Sequence, residues 1–285
     1  MSIQVKDANG NIKYFGTTQE GDNTNPFLSI PADFYLEVRK GNVPKHSLVQ
    51  KFGAIQGITT TLTPATTSGK YPTPTAPVSL EIVSDSTDDT AAGTGARSVV
   101  IEGTSNTNGV WTEEVQEITM NGTTAVAVPN DMLRVYRMYV KTSGSYATPT
   151  TPSHNSTITV RESGGGTIWQ TLISNSSFGL AQSEIAVYTI PKGYTGYILS
   201  KNVTIESTKT ANIFLFVRED ADVVTAPFSP MRVKELERNL AAFTSRQPTA
   251  PLLKIIGPAD VGFIAQSTST TTSLSIEFEI LLVED

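Results

Sequence analysis

The chain contains no cysteine. That absence excludes disulfides, thiol catalysis and cysteine-built zinc sites together, and it fits a chain folded in a reducing cytoplasm. Histidine is almost as scarce, with only His46 and His154. A histidine-rich metal centre is therefore excluded. A Ser-His-Asp triad would need one of these two as its base, and no Gly-x-Ser-x-Gly elbow accompanies either. Charged residues make up 17% of the chain, against about 25% in an average domain. The balance is acidic, −6 net. Nucleic acid is thus not an expected partner, because neutralising phosphates takes a basic surface. No apolar run reaches the roughly 20 residues that cross a bilayer as a helix, so membrane insertion is not expected. Residues 1–14 lack the apolar stretch of a signal peptide.

What is present is Thr, Ser, 21 Gly and 16 Pro. Threonine's β-branch suits a pleated surface, and Ser, Gly and Pro serve turns. The fold class read from this is all-β: two β-sandwich or jelly-roll-like domains behind an irregular N-terminal attachment arm. The arm is assigned to residues 1–57, the first β-domain to 58–145 and the second to 146–285. Within the arm, 2–5 and 12–15 are expected to pair around Asp7-Ala8-Asn9-Gly10, and 34–38 to dock as a strand or a helical turn. The Thr/Pro-rich stretch 58–77 and the polar stretch 143–156 read as linkers or long loops.

Strand grammar begins at 78–83, where Val78, Leu80 and Ile82 alternate with polar neighbours, and resumes at 97–103 after a Ser/Asp/Gly loop. Further strands are expected at 111–119, 124–128 and 132–141. In the second domain they are expected at 157–162, 167–173, 184–190, 194–206, 211–219, 251–256, 261–267 and 273–283. Asn121-Gly122 is the strongest hairpin signal, a type I′ candidate, and Pro191-Lys192-Gly193 is a turn between two strands. In the last strand Leu274, Ile276, Phe278, Ile280 and Leu282 alternate with Ser275, Glu277, Glu279 and Leu281, which predicts one buried face. Val233, Leu236, Leu240 and Phe243 recur at helical spacing, so 231–243 reads as either a helix or a hairpin.

The chain's one basic cluster is Arg39, Lys40, Lys45, His46 and Lys51. It forms either a docking arm for an acidic partner surface or a solvated loop. Gly93-Thr94-Gly95 invites a phosphate-loop reading, but a strand follows it and the Gly-Lys-Ser/Thr signature is missing. Asp85, Asp88 and Asp89 lack the spacing of a calcium loop and read as turn carboxylates. Glu113, Glu114 and Glu117 sit on an expected strand, where solvated charges are ordinary. Trp111, Trp169, Tyr188, Tyr194 and Tyr197 either stack on sugar rings or fill cores. No residue set stands out as catalytic, and no cofactor is expected.

Five segments, in order, carry a likeness: KGNVPKHSLVQKFG, SDSTDDTAAGTGARSVVIEG, LRVYRMYV, YTIPKGYTGYIL and FEILLVED. Together they resemble the virion structural proteins, head or tail appendages, of tailed, podovirus-like bacteriophages. The resemblance runs from about residue 40 to the C-terminus. It implies a non-enzymatic particle protein, assembled in the host cytoplasm and located in the virion. It implies other virion proteins as partners, at the neck or tail or at the major capsid protein, and a homo-oligomer, with a trimer preferred. A tail or neck fibre or anchor docking through its N-terminal arm is the first expectation. A capsid decoration protein is the second, and a carbohydrate-binding module that recognises a host-surface glycan is the third.

Overall fold

The structure is a computed structural model and describes residues 3–6, 12–15, 34–107, 110–145, 153–173, 181–223, 225–246, 253–268 and 270–285. Among these residues there are nineteen strands and one six-residue helix, so the chain is all-β as its composition predicts. It divides into two compact units, Met1–Leu48 and Val49–Asp285.

In the first unit β1 (Ile3–Lys6) pairs antiparallel with β2 (Ile12–Phe15), with Ile3 opposite Phe15. That pairing matches the expectation; its turn at 7–10 lies outside the described residues. Of the two options for 34–38, the helical one is realised as α1 (Phe34–Arg39). The helix stops in a Schellman motif. Gly41, at φ +75°, donates to the Val38 carbonyl at 2.9 Å, and Asn42 donates to that of Glu37 at 2.9 Å. Strand β3 (His46–Ile58) spans the division between the units. The sequence predicts an irregular course there. The structure has a thirteen-residue strand, because Ala54, Ile55 and Ile58 have a sheet to bury against.

The second unit contains two sandwiches. The first packs a four-stranded sheet, ordered β11-β10-β5-β8, on a three-stranded sheet, β7-β6-β9. These strands are β5 (Leu80–Ser84), β6 (Ala96–Thr107), β7 (Val110–Thr119), β8 (Val126–Ala127), β9 (Arg134–Ser143), β10 (Ile158–Glu162) and β11 (Ile168–Leu172). Leu80, Ile82, Val99, Ile101, Met138, Ile158, Val160 and Trp169 form their common core. β10 runs antiparallel to β5, with Ile158 opposite Ser84, although sequence reading assigns residues from 146 onward to the second domain.

The second sandwich packs the sheet β12-β18-β14-β15, with β4 on β18, against the sheet β16-β13-β19-β3, with β17 on β13. Its remaining strands are β4 (Thr63–Pro64), β12 (Val187–Ile190), β13 (Tyr194–Ile205), β14 (Thr210–Arg218), β15 (Arg232–Ala241), β16 (Phe243–Arg246), β17 (Leu253–Ile256), β18 (Ala259–Ser267) and β19 (Thr272–Glu284). The alternation read in the last strand holds. Leu274, Ile276, Phe278, Ile280 and Leu282 are all in the core. Each is worth about 1.5–3 kcal/mol on burial. Alternation along β18 puts Val261, Phe263 and Ala265 into the same core. Its opposite face presents Asp260 and Ile264, so this strand is buried on both sides.

Several local expectations change for tertiary reasons. The strands read at 78–83 and 97–103 are not paired with each other, since β5 and β6 belong to opposite sheets and the loop crosses between them. β7 and β8 are likewise in different sheets, so Asn121-Gly122 is no type I′ hairpin. Gly122 has φ +62°, and its backbone bonds go to the 84–90 loop: its N–H reaches the Asp89 carbonyl at 2.7 Å, and its carbonyl accepts from Ser84 at 3.0 Å. Residues 231–243 form β15 and the start of β16, not a helix. The Pro191 turn is as expected, with Gly193 at φ +81°, and its flanking strands enter opposite sheets. The 58–77 stretch is docked rather than free: Pro64 pairs with Ile264, and the Ala186 N–H reaches the Ala65 carbonyl at 2.8 Å.

Candidate functional site

The five basic residues separate into two groups. Arg39, Lys40, Lys45 and His46 belong to the first unit. Arg39 and Lys40 lie at the C-terminal end of α1, where a cation complements the helix dipole. Lys40 is 2.8 Å from Glu37, and hydrogen bonds from Asn42 and Lys40 hold the Glu37 carboxyl below its ordinary range. His46 Nδ1 lies 2.7 Å from the Pro44 carbonyl, and the ring meets Phe34 edge-on, 5.6 Å between centroids. Lys51 lies in the second unit and is only 7% exposed. Its ammonium donates to the Tyr136 carbonyl at 2.6 Å and lies 6.0 Å from the Tyr188 ring centroid. It is therefore a buried group, unlike the other four. The missed signal was parity: Lys51 falls in step with Gly53 and Ile55, which face inward.

Where the sandwiches meet, a buried ion pair joins them. Arg134 on β9 and Asp260 on β18 are each 1% exposed, and the guanidinium donates through Nε and one Nη to the two carboxylate oxygens at 3.0 Å each. Asp260 also accepts from Thr189 at 2.6 Å and faces Arg218 at 3.5 Å, and Thr189 is 2.9 Å from the Tyr71 hydroxyl. Burial alone would depress Arg134, but the Asp260 carboxylate outweighs it and holds the guanidinium firmly charged. A bidentate pair of this kind fixes angle as well as distance. Tyr136 and Tyr188 pack beside it, centroids 4.9 Å apart. Sequence reading singled out neither Arg134 nor Asp260. The available signal was a charge at an inward position inside an apolar run, in LRVYRMYV and ADVGFIA.

The other candidate sets resolve as structural. Asp89 is fully buried and accepts from the Ser84 hydroxyl at 2.5 Å, from the Ala96 N–H at 2.7 Å and from the Asn155 N–H at 3.0 Å. Gly95 makes this close approach feasible, since a Cβ there would stand 2.0 Å from Asp89 Oδ1. The Gly93-Gly95 loop thus holds a carboxylate of its own chain where a phosphate loop would hold its ligand. His154 is buried, and burial lowers its pKa. Glu117 pairs with Lys141 at 2.5 Å on an exposed face, and Glu114 accepts from Asn130 at 3.0 Å. Among the described residues no three side chains are grouped to hold a metal ion. Trp169 is enclosed in the first core, Tyr188 is buried in the second and Tyr194 is half-buried against it, so Trp169 presents no open face to a sugar.

One side of the second sandwich is different. β15 ends its sheet, and β16 and β17 share the outer edge of β13. A cleft of about 430 Å³ lined by Val217, Glu219, Lys234 and Ile256 lies here, so β15 and β17 are neighbours. Met231, Val233, Phe243 and Ile256 stand on these strands or beside them, each at least half exposed, with Phe243 at 60% and Ile256 at 63%. Lys201 of β13 anchors β15 from beneath, 2.9 Å from Glu235 and 2.6 Å from Glu237.

No protein-family model matches the chain, and no curated protein matches it. Among solved structures it is similar to that of the infectious bursal disease virus Gt strain, at 12% identity and TM-score 0.24, covering 88% of this chain and 78% of that one. It is similar also to the Gx strain of that virus, at 9% identity and TM-score 0.25, covering 87% and 77%. A third is the VP2 subviral particle of the same virus, at 9% identity and TM-score 0.19, covering 90% and 79%. At these identities and TM-scores the likeness carries no functional argument.

Proposed function

We propose that this chain is a non-enzymatic structural subunit of a tailed-phage particle that assembles with copies of itself, with a trimer preferred. The observation that carries the assembly reading is the edge formed by β15, β16 and β17. Among the described residues, strand edges with no neighbouring strand and large apolar side chains stand together there, and this combination suits burial against another subunit. The Arg134–Asp260 pair supports the same reading, because a subunit that transmits load gains from two sandwiches locked at one angle. The phage assignment rests on the resemblance of the five segments. Among stations, the neck or tail is preferred, with docking through Arg39, Lys40, Lys45 and His46.

Two measurements test this. The native mass of the purified chain should be a multiple of 30.6 kDa, three for the trimer, and Val233→Glu with Phe243→Glu should reduce it to one. A single-chain mass for the unaltered protein removes the assembly reading. In purified virions, about six to eighteen copies per particle would fit a ring at one vertex, whereas hundreds would fit a capsid decoration. Deleting residues 1–44 together with Lys45→Ser and His46→Ser should abolish incorporation at the neck; normal incorporation refutes the docking arm. The deletion stops short of β3, since removing Val49–Ile58 would take a strand from the core.

A further inference from the structure

Lys51 and Arg137 line a cavity of about 490 Å³ at the junction of the two sandwiches. Lys51 reaches it from β3, Arg137 from β9, and Gln182 and Ser183 from the segment that leads into β12. An ammonium has three donors and a guanidinium five. Lys51 spends one on the Tyr136 carbonyl, and Arg137 makes one long bond of 3.3 Å to Gln182 while its guanidinium lies 4.6 Å from the Tyr139 ring centroid. Neither forms an ion pair with a carboxylate among the described residues. The two cations at this partly enclosed cavity repel each other, and the buried Lys51 has also lost hydration, costs that an oxyanion between them reverses. Glu277 on β19 also lines the cavity and brings the formal charge of its lining to +1, and Glu102 of β6 lies opposite Arg137 of β9. That favours one carboxylate over a polyanion. Phe52 and Ile185 supply apolar wall for a short carbon stem.

We propose that this cavity binds a carboxylate carried on a short aliphatic stem, with Lys51 and Arg137 as its charged ligands. Two sources share this chemistry: a small free carboxylic acid, and an Asp or Glu side chain of a neighbouring copy. The site does not depend on the particle assignment, because carboxylate binding and virion incorporation are separate readouts.

The probe is butyrate, a single carboxylate on a short aliphatic stem, added to the full chain at pH 6.5 with sodium chloride at equal ionic strength as reference. Butyrate should raise the thermal midpoint above the chloride reference. Lys51→Met and Arg137→Gln should each weaken binding at least tenfold, the loss of one charge-assisted contact. Lys51→Met removes a buried charge and keeps the stem, which offsets the loss of the donor to the Tyr136 carbonyl, so its thermal midpoint in chloride should stay close to the parent's. Arg137 is exposed, so Arg137→Gln gives an independent reading of the site. The Lys51 ammonium is held down to about 7, first by burial and then by Arg137, with Glu102 acting against them. Affinity should therefore fall as pH rises from 6.5 to 9. If butyrate also dissociates the oligomer and Lys51→Met lowers its mass, the carboxylate comes from a neighbouring copy. If butyrate binds with the mass unchanged, the ligand is a free acid. Equal response of the parent and Lys51→Met, or no butyrate response beyond chloride, overturns the site.

Discussion

Replacing Arg134 by Met tests how the two sandwiches are held. The substitution leaves the Asp260 carboxylate, 1% exposed, without its bidentate partner. Breaking a buried pair from one side costs about 3–5 kcal/mol. Thr189 at 2.6 Å and Arg218 at 3.5 Å remain as partial compensation, so the expected loss is near the lower end, about 3 kcal/mol. Asp260→Asn in the same chain removes the stranded charge and keeps an acceptor for Thr189. The double variant should therefore recover at least about 1.5 kcal/mol relative to Arg134→Met alone, within the coupling range of contacting residues. Urea unfolding at pH 7 reads both values. Tryptophan fluorescence follows the first sandwich, because Trp169 lies in its core and the Trp111 ring centroid lies 5.6 Å from the Arg134 guanidinium. Far-UV circular dichroism follows all the strands. In the Met variant the fluorescence transition should separate from the circular dichroism transition, since the link between the sandwiches is weakened. A loss below about 1 kcal/mol, or a double variant as unstable as the single one, refutes the argument that this pair is the buried lock.

Two further outcomes follow from the same packing. Gly95→Ala sets a methyl 2.0 Å from Asp89 Oδ1 and 3.1 Å from the Asn155 N–H, and should cost about 3 kcal/mol in urea unfolding as overpacking around a fixed carboxylate; a neutral result would mean that the loop yields freely. Glu184 is buried, and burial raises its pKa from 4.5 to about 7. Between these values the unfolded chain gives up the proton first, so the contribution is complete below pH 4.5 and is lost as pH rises through 7. That amounts to about 3 kcal/mol at 1.36 kcal/mol per unit. Glu184→Gln should flatten the stability profile between pH 5.5 and 7.5, and parallel profiles for the two proteins would sink the assignment.

The class of structure and most of its pieces are local properties, legible in the amino-acid order alone. Period-two alternation is a local property of the pleat, so the run from Leu274 to Leu282 showed its buried face without reference to any partner. Pro191 and Gly193 fixed their turn for the same local reason. The absence of cysteine and the scarcity of histidine limit thiol and imidazole chemistry whatever the fold. Which strands pair is a long-range matter, and there local signals were overruled. Asn121-Gly122 has hairpin chemistry, yet its backbone bonds go to the 84–90 loop. Residues 231–243 carry helical spacing, yet 232–241 lie along β14, where Glu235 and Glu237, two residues apart, both reach Lys201. The basic cluster was legible as composition, but only the tertiary structure separated Lys51 from Arg39, Lys40, Lys45 and His46, because exposure depends on what a strand packs against. Arg134 and Asp260 are 126 positions apart. Their pairing exists only once two sandwiches meet, and a charge at an inward position says that a partner is needed without saying which.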